Sequence, residues 1–136
     1  MPVGYSGTPL AKKLGINSGF IVRLVGAPDY YLSLFTNWPT DIRISEQKNE
    51  RKNLIHFFTK DSSELYKVLP ELKKEILANG TIWVSWPKKT SKVVTDVSEN
   101  MIRDLALNIG LVDVKVCAVD EIWSGLKLVI PVKDRK

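Results

Sequence analysis

Three segments of the chain are apolar almost without interruption: Phe20-Ile21-Val22-Arg23-Leu24-Val25, Leu54-Ile55-His56-Phe57-Phe58-Thr59 and Thr81-Ile82-Trp83-Val84-Ser85-Trp86. A strand with one wet face alternates apolar and polar residues, whereas a strand covered on both faces has no such need. β-Branched and aromatic side chains, short lengths and flanking glycines (Gly19 and Gly26, then Gly80) read as strands rather than helix fragments. A chain with three such strands must place layers on both sides of its sheet.

The intervening segments supply those layers. Ser62-Ser63-Glu64 opens a helix whose stripe of Leu65, Val68, Leu69, Leu72 and Ile76 repeats at spacings of three and four. Asn79-Gly80 closes it, and Pro70 predicts a kink or two abutting pieces. Thr95, Asp96 and Ser98 offer caps for a helix through Asn108, with Ile102, Leu105, Ala106 and Ile109 inward and Gly110 as its stop. Thr8 as N-cap, Pro9 in the first turn and Gly15 as a left-handed stop predict a brief leading helix with Leu10, Ala11 and Leu14 on its apolar face. Tyr30 to Asn37 predicts a short helix, and Asp41 to Ser45 a short strand. Glu46 to Asn53 and Pro87 to Val94 read as loops. Leu111 to Val119 and Leu126 to Val132 form the last two strands, antiparallel across a turn at Asp120 to Ser124. The pattern predicts one three-layer α/β domain over residues 1–136: a mainly parallel, Rossmann-like sheet ending in an antiparallel hairpin. Residues 1–19 form a cap helix and loop, and 133–136 a basic tail.

Composition limits the chemistry. The chain has 136 residues, enough for one core. A single cysteine, Cys117, precludes an internal disulfide, and a single histidine, His56, removes two-histidine mechanisms. No apolar run approaches the ~18 residues of a membrane span, and no secretory signal opens the chain, so a cytoplasmic location is expected. The net charge of +5 is scattered over separate clusters. A solvated surface and a frayed basic end account for it better than a nucleic-acid patch, for which Lys48, Arg51, Lys52, Lys88 and Lys89 are the candidates.

Three motifs recur together in a known family: Tyr5-Ser6-Gly7-Thr8-Pro9-Leu10-Ala11-Lys12-Lys13-Leu14-Gly15, Trp83-Val84-Ser85-Trp86-Pro87-Lys88-Lys89, and Gly110 to Glu121 continuing through Trp123-Ser124-Gly125-Leu126. On these the chain resembles the small bacterial family called domain of unknown function 3052. A looser resemblance is to class I methyltransferases that use S-adenosylmethionine, whose sheet also ends in a helix and an antiparallel hairpin. That second resemblance implies a shortened fold, lacking a strand–helix unit between Ser45 and Leu54. It implies a cofactor turn at Gly26-Ala27-Pro28-Asp29 and a ribose-binding carboxylate at Glu46, with S-adenosylmethionine as the candidate cofactor.

In an open α/β sheet the crevice lies at the carboxyl ends of the strands. That rule gathers Gly26, Ala27, Pro28, Asp29, Thr59, Lys60, Trp86, Lys88 and Lys89, a set suited to a planar, anionic or nucleotide-like small molecule. Tyr5 and Ser6 stand where a cap or lid could form. Asp120 and Glu121 read as turn residues, because neighbours in an extended chain face opposite ways. His56 and Cys117 sit in apolar strands and read as core residues, and Trp83 likewise. Trp86 and Trp123 fall at strand ends, suited to a core edge or a binding surface. With no acid, base, nucleophile or metal cluster in a recognisable spacing, the expected role is a non-catalytic ligand-binding or interaction module. An active methyltransferase and a weak nucleic-acid binder are the alternatives.

Overall fold

A computed structural model describes residues 9–135. Strands β1 (Ile21–Val25), β2 (Arg43–Ile44), β3 (Lys52–Phe58) and β4 (Ile76–Pro87) pair in parallel. β5 (Val112–Ala118) and β6 (Trp123–Val129) form an antiparallel hairpin, and β6 pairs antiparallel with β4. The six strands make one sheet in the order β2-β1-β3-β4-β6-β5.

Alternation along the central strands explains why they are apolar throughout. Ile55, Phe57, Ile82, Val84, Trp86, Leu126 and Leu128 form one core with helices α2 (Ser62–Lys73) and α3 (Glu99–Asn108). Val22, Leu54 and Trp83 form the other with helix α1 (Leu10–Leu14), Phe35, Trp38 and Ile42. Trp83 has no exposed surface, and its indole N–H donates to the Leu14 carbonyl at 2.8 Å, so the one polar atom of a large buried side chain is satisfied. α3 begins as expected, with the Ser98 hydroxyl accepting from the Met101 amide.

Several expectations need correction. Pro9 occupies the cap position of α1 rather than its first turn, while Tyr5, Ser6 and Thr8 lie outside the described residues. α2 runs through Pro70 as one helix and ends at Lys73, so Asn79-Gly80 does not close it. Ile76 extends the helical stripe by chance of spacing; it is buried as the first residue of β4, opposite Lys52. The expected helix at Tyr30 to Asn37 shrinks to one 3-10 turn, Tyr31–Leu34, because Phe35 turns extended and packs with Trp38 in the second core. The basic end is not frayed through residue 135: Val132–Asp134 forms a 3-10 turn, and the Arg135 guanidinium donates to the Ile130 carbonyl at 2.8 Å. Among the described residues no helix is long and apolar enough to cross a membrane.

β5 is an edge strand with Val114 and Val116 about half exposed, a surface on which another strand could pair. Two devices oppose that. The register shifts between Asp113 and Lys115, and the Lys115 ammonium reaches back to 6.0 Å from the Trp83 ring. Lys115→Val is therefore expected to move the sedimentation profile toward larger species than the parent chain forms. An unchanged profile would deny Lys115 this guarding role.

Candidate binding rim

Parallel pairing sets Val25 beside Phe57 and Phe58 beside Ser85, so the turns that follow β1, β3 and β4 emerge at the same end of the sheet. Because β6 runs the other way, its first residue, Trp123, lies opposite Pro87, and the β5–β6 turn joins this rim. Two backbone bonds tie the rim together: the Thr59 amide donates to the Ser85 carbonyl at 3.0 Å, and the Lys88 amide to the Ile122 carbonyl at 2.7 Å.

The rim is divided. Trp86 and Lys89 line a cleft of about 570 Å³ with Thr95, Val97 and Ser98. Lys60 and Asp61 line a neighbouring hollow of about 410 Å³ with Val94 and Thr95. Gly26 to Asp29 follow β1, two strands away from β4 in the sheet order and so roughly 10 Å across it. There a third hollow, about 310 Å³ and mostly apolar, is lined by Tyr30, Leu34, Asp120, Glu121 and Ile122. The nine expected residues thus share one rim, and the hollows along it place Trp86 and Lys89 in one cleft and Lys60 in its neighbour.

Gly26 is fixed by geometry. Its φ is 68°, and a Cβ placed on it would lie 2.6 Å from the Phe58 carbonyl oxygen. The first turn therefore presses directly on the end of β3, and only glycine allows both the backbone shape and the approach. Gly26 is also exposed, so it presents bare backbone at the rim.

Beneath this turn lies a polar chain that sequence reasoning missed. Tyr31 Oη is 2.9 Å from His56 Nδ1, and His56 Nε2 is 2.8 Å from Ser85 Oγ. All three residues are buried, His56 and Ser85 completely. Burial pushes the His56 pKa down to about 3, so the imidazole is neutral and serves as a hydrogen-bonded crosspiece. Phe58 stacks on His56 and meets Tyr31 and Trp123 edge-on. The hydrophobic pattern contains a signal for this packing only in hindsight: His56 and Ser85 are the polar interruptions of two apolar strands.

Asp61, Asp96 and Asp120 at the rim are engaged in the fold. Asp61 caps α2 by accepting from the Ser63 amide and hydroxyl, and Asp96 accepts from the Ser62 amide and hydroxyl. Those hydrogen bonds hold both carboxyls below their ordinary range. Asp120 Oδ1 accepts from the Ile122 and Trp123 amides, which makes it the turn residue expected, and its Oδ2 accepts from the Tyr30 hydroxyl at 2.7 Å. Asp29 and Glu121 are exposed. Lys60 shares its hollow with Asp61 and Asp96, and Lys89 shares its cleft with Asp96 and Glu99, so the rim carries both signs of charge.

Other expected residues fall elsewhere. β2 ends at Ile44, level with Val22, so that strand stops short of the rim and Glu46 lies beyond it in the connection to β3. Lys48, Arg51 and Lys52 precede or begin β3, whereas Lys88 and Lys89 follow β4, which runs parallel to it. The five residues of the nucleic-acid candidate therefore occupy opposite ends of the sheet, and Lys52 is completely buried. Cys117 is half-buried beside Gly125, and burial pushes its thiol pKa up. Among the described residues no group of histidine, cysteine and carboxylate side chains is placed to hold a metal ion.

A mainly parallel sheet closed by an antiparallel pair, with helices on both faces and its turns gathered at the carboxyl rim, defines a Rossmann-like domain of methyltransferase architecture. The chain superimposes on a Sulfolobus solfataricus protein assigned as a type 11 methyltransferase, with a TM-score of 0.64 and 13% identity over 93% of this chain and 92% of that one. It is similarly like the ribosomal protein L11 methylase of Lactobacillus delbrueckii subsp. bulgaricus, with a TM-score of 0.58 and 12% identity, covering 89% and 74% of the two chains. An enzyme described as a pericyclic reaction enzyme also shares the fold, with a TM-score of 0.56 and 10% identity over 90% of this chain and 47% of that one. Among curated proteins none matches in sequence. The chain belongs to the family described as Protein of unknown function (DUF3052), whose model matches residues 11–132.

Proposed function

We propose that this protein is a non-catalytic binding module that takes a planar, nucleoside-like small molecule at the carboxyl rim. The observation that carries this reading is the pairing of open and committed groups there. Bare backbone at Gly26, the edge of the largely buried Trp86 ring that lines its cleft and the exposed Lys89 are available to a ligand. His56, Asp61, Asp96 and Asp120 are engaged in the fold, while Asp29 and Glu121 stand exposed. The mixed charge of the rim favours a neutral or zwitterionic ligand over the anion that the lysines alone suggest.

An active methyltransferase is the second reading, supported by the exposed Gly26 turn on a fold shared with methyltransferases. Methyl transfer needs little beyond positioning of donor and acceptor, so engaged acids and bases do not count against it.

Calorimetric titration with S-adenosylmethionine, S-adenosylhomocysteine, adenosine and AMP separates the two. The binding module predicts saturable binding of an adenosine-bearing compound, weakened by Lys89→Ala or by the ring-conserving Trp86→Phe, with no methyl group consumed. Methyl transfer to any acceptor that is lost in those variants would establish the second reading instead. No saturation by any of the four at millimolar concentration would remove both.

A further inference from the structure

Two adjacent tyrosines pin the segment that follows β1, and they do so very differently. Tyr31 is buried, with its hydroxyl against His56 in the core. Tyr30 is 39% exposed and donates across the rim to Asp120, ninety positions away in sequence. The receiving carboxylate is independently fixed, because its other oxygen caps the β5–β6 turn through the Ile122 and Trp123 amides. The turn therefore does not need Tyr30 to keep its shape, and α2, α3 and the central strands make no use of this bond.

Directly beside the Tyr30–Asp120 bond lies the apolar hollow of about 310 Å³, walled in part by Tyr30, Leu34 and Ile122. At the other end of the segment stands Gly26, which stays seated on Phe58 but has no side chain to resist rotation of the residues that follow it. A partly buried hydrogen bond thus fastens a short span between a glycine and a buried anchor, and Tyr30 itself forms part of the wall of the apolar hollow. We propose that residues 26–30 are a strap across the rim, latched by Tyr30 on Asp120, hinged at Gly26 and anchored by Tyr31, whose release opens the hollow. What the strap admits rests on the ligand reading above; its motion does not.

The bond is charge-assisted, and burial together with the nearby Asp120 carboxylate pushes the Tyr30 pKa up to about 12, so the hydroxyl keeps its proton at neutral pH. Two amides report on the strap: Tyr31 N–H donates to the Pro28 carbonyl and Ser33 N–H to the Tyr30 carbonyl, each at 2.9 Å. Tyr30→Phe removes one hydroxyl and keeps the ring, so the variant retains its packing. Amide hydrogen exchange followed by NMR on the full chain, without ligand, is the test. Exchange at Tyr31 and Ser33 is expected to rise about 10-fold in the variant, with Leu65 in α2 and Ile102 in α3 unchanged. Unchanged rates at Tyr31 and Ser33, or an equal rise at all four amides, would overturn the strap. Failure of every ligand titration would remove the proposed function and leave this result untouched.

Discussion

Gly26→Ala is expected to destabilise the protein strongly although it adds a single methyl group. At φ 68° an alanine pays the left-handed backbone penalty of about 1–2 kcal/mol. Its Cβ would also lie 2.6 Å from the Phe58 carbonyl oxygen, a backbone atom that cannot swing aside. Relieving that contact means parting the ends of β1 and β3, a strain comparable to overpacking a core, which costs about 1–3 kcal/mol. A total near 3 kcal/mol follows, read as a fall in thermal midpoint of roughly 10 °C for a chain of this size. Equilibrium denaturation of parent and variant checks it. A loss below about 1 kcal/mol would mean that the first turn can lift off β3, contrary to the close approach described. Gly15→Ala is the control: it shares a positive φ, but a Cβ placed there has nothing within 4 Å, so only the backbone penalty should remain.

Glu75→Gln is the second large effect, at the opposite end of the sheet. Lys52 is completely buried and donates to Glu75 at 2.7 Å, while the Arg23 guanidinium donates to both oxygens of the same carboxylate at 2.8 and 2.7 Å. One anion thus compensates two cations. Removing its charge leaves the completely buried Lys52 ammonium beside the partly buried Arg23 guanidinium with no anion between them, and breaking such an arrangement costs about 3–5 kcal/mol. Lys52→Met should be much milder, because Arg23 still satisfies Glu75 and no unpaired charge remains. Chemical denaturation gives both values, and a Lys52→Met loss equal to that of Glu75→Gln would refute the charge account.

The pH dependence has a definite sign. Burial alone raises the Glu75 carboxyl, but hydrogen bonds from Lys52 and Arg23, with their charges, outweigh it and leave the folded pKa below the ordinary value. A depressed carboxyl contributes stability that is complete above its unfolded pKa, about 4.3, and is lost as pH falls through the folded value. The difference in stability between parent and Glu75→Gln is therefore expected to be constant near neutrality and to shrink below about pH 4.3. A difference that grows with acidification would contradict it.

The fold was largely legible because its strongest signals are local. Continuous apolar runs at Phe20–Val25, Leu54–Thr59 and Thr81–Trp86 can be buried only between two layers, and the stripe from Leu65 to Leu72 has helical spacing. The errors lie where a local pattern extends past its element. Ile76 continues the stripe of α2 in spacing, yet the chain has already turned into β4. Tyr30 to Asn37 has nothing that forbids a helix, yet Phe35 and Trp38 find more apolar surface to cover by leaving it.

The candidate site was legible only as a rim. Parallel strands bring their following turns to one end, so Gly26, Thr59 and Lys88 could be grouped before any coordinates. Which of them share a pocket depends on sheet order, and order is not a local property: β6 inserts between β4 and β5 and brings Asp120 to Tyr30.

The residue pattern by itself determined that this chain builds a two-face-covered, mainly parallel sheet ending in a hairpin, because burial of apolar surface is dictated by spacing along a few consecutive residues. Tertiary structure alone decided that Lys52 is a buried cation rather than a surface one, that His56 joins Tyr31 to Ser85, and that Tyr30 latches on Asp120. Those pairings join positions 23 to 90 residues apart, and their energies exist only once strand order and register have brought the partners within hydrogen-bond reach.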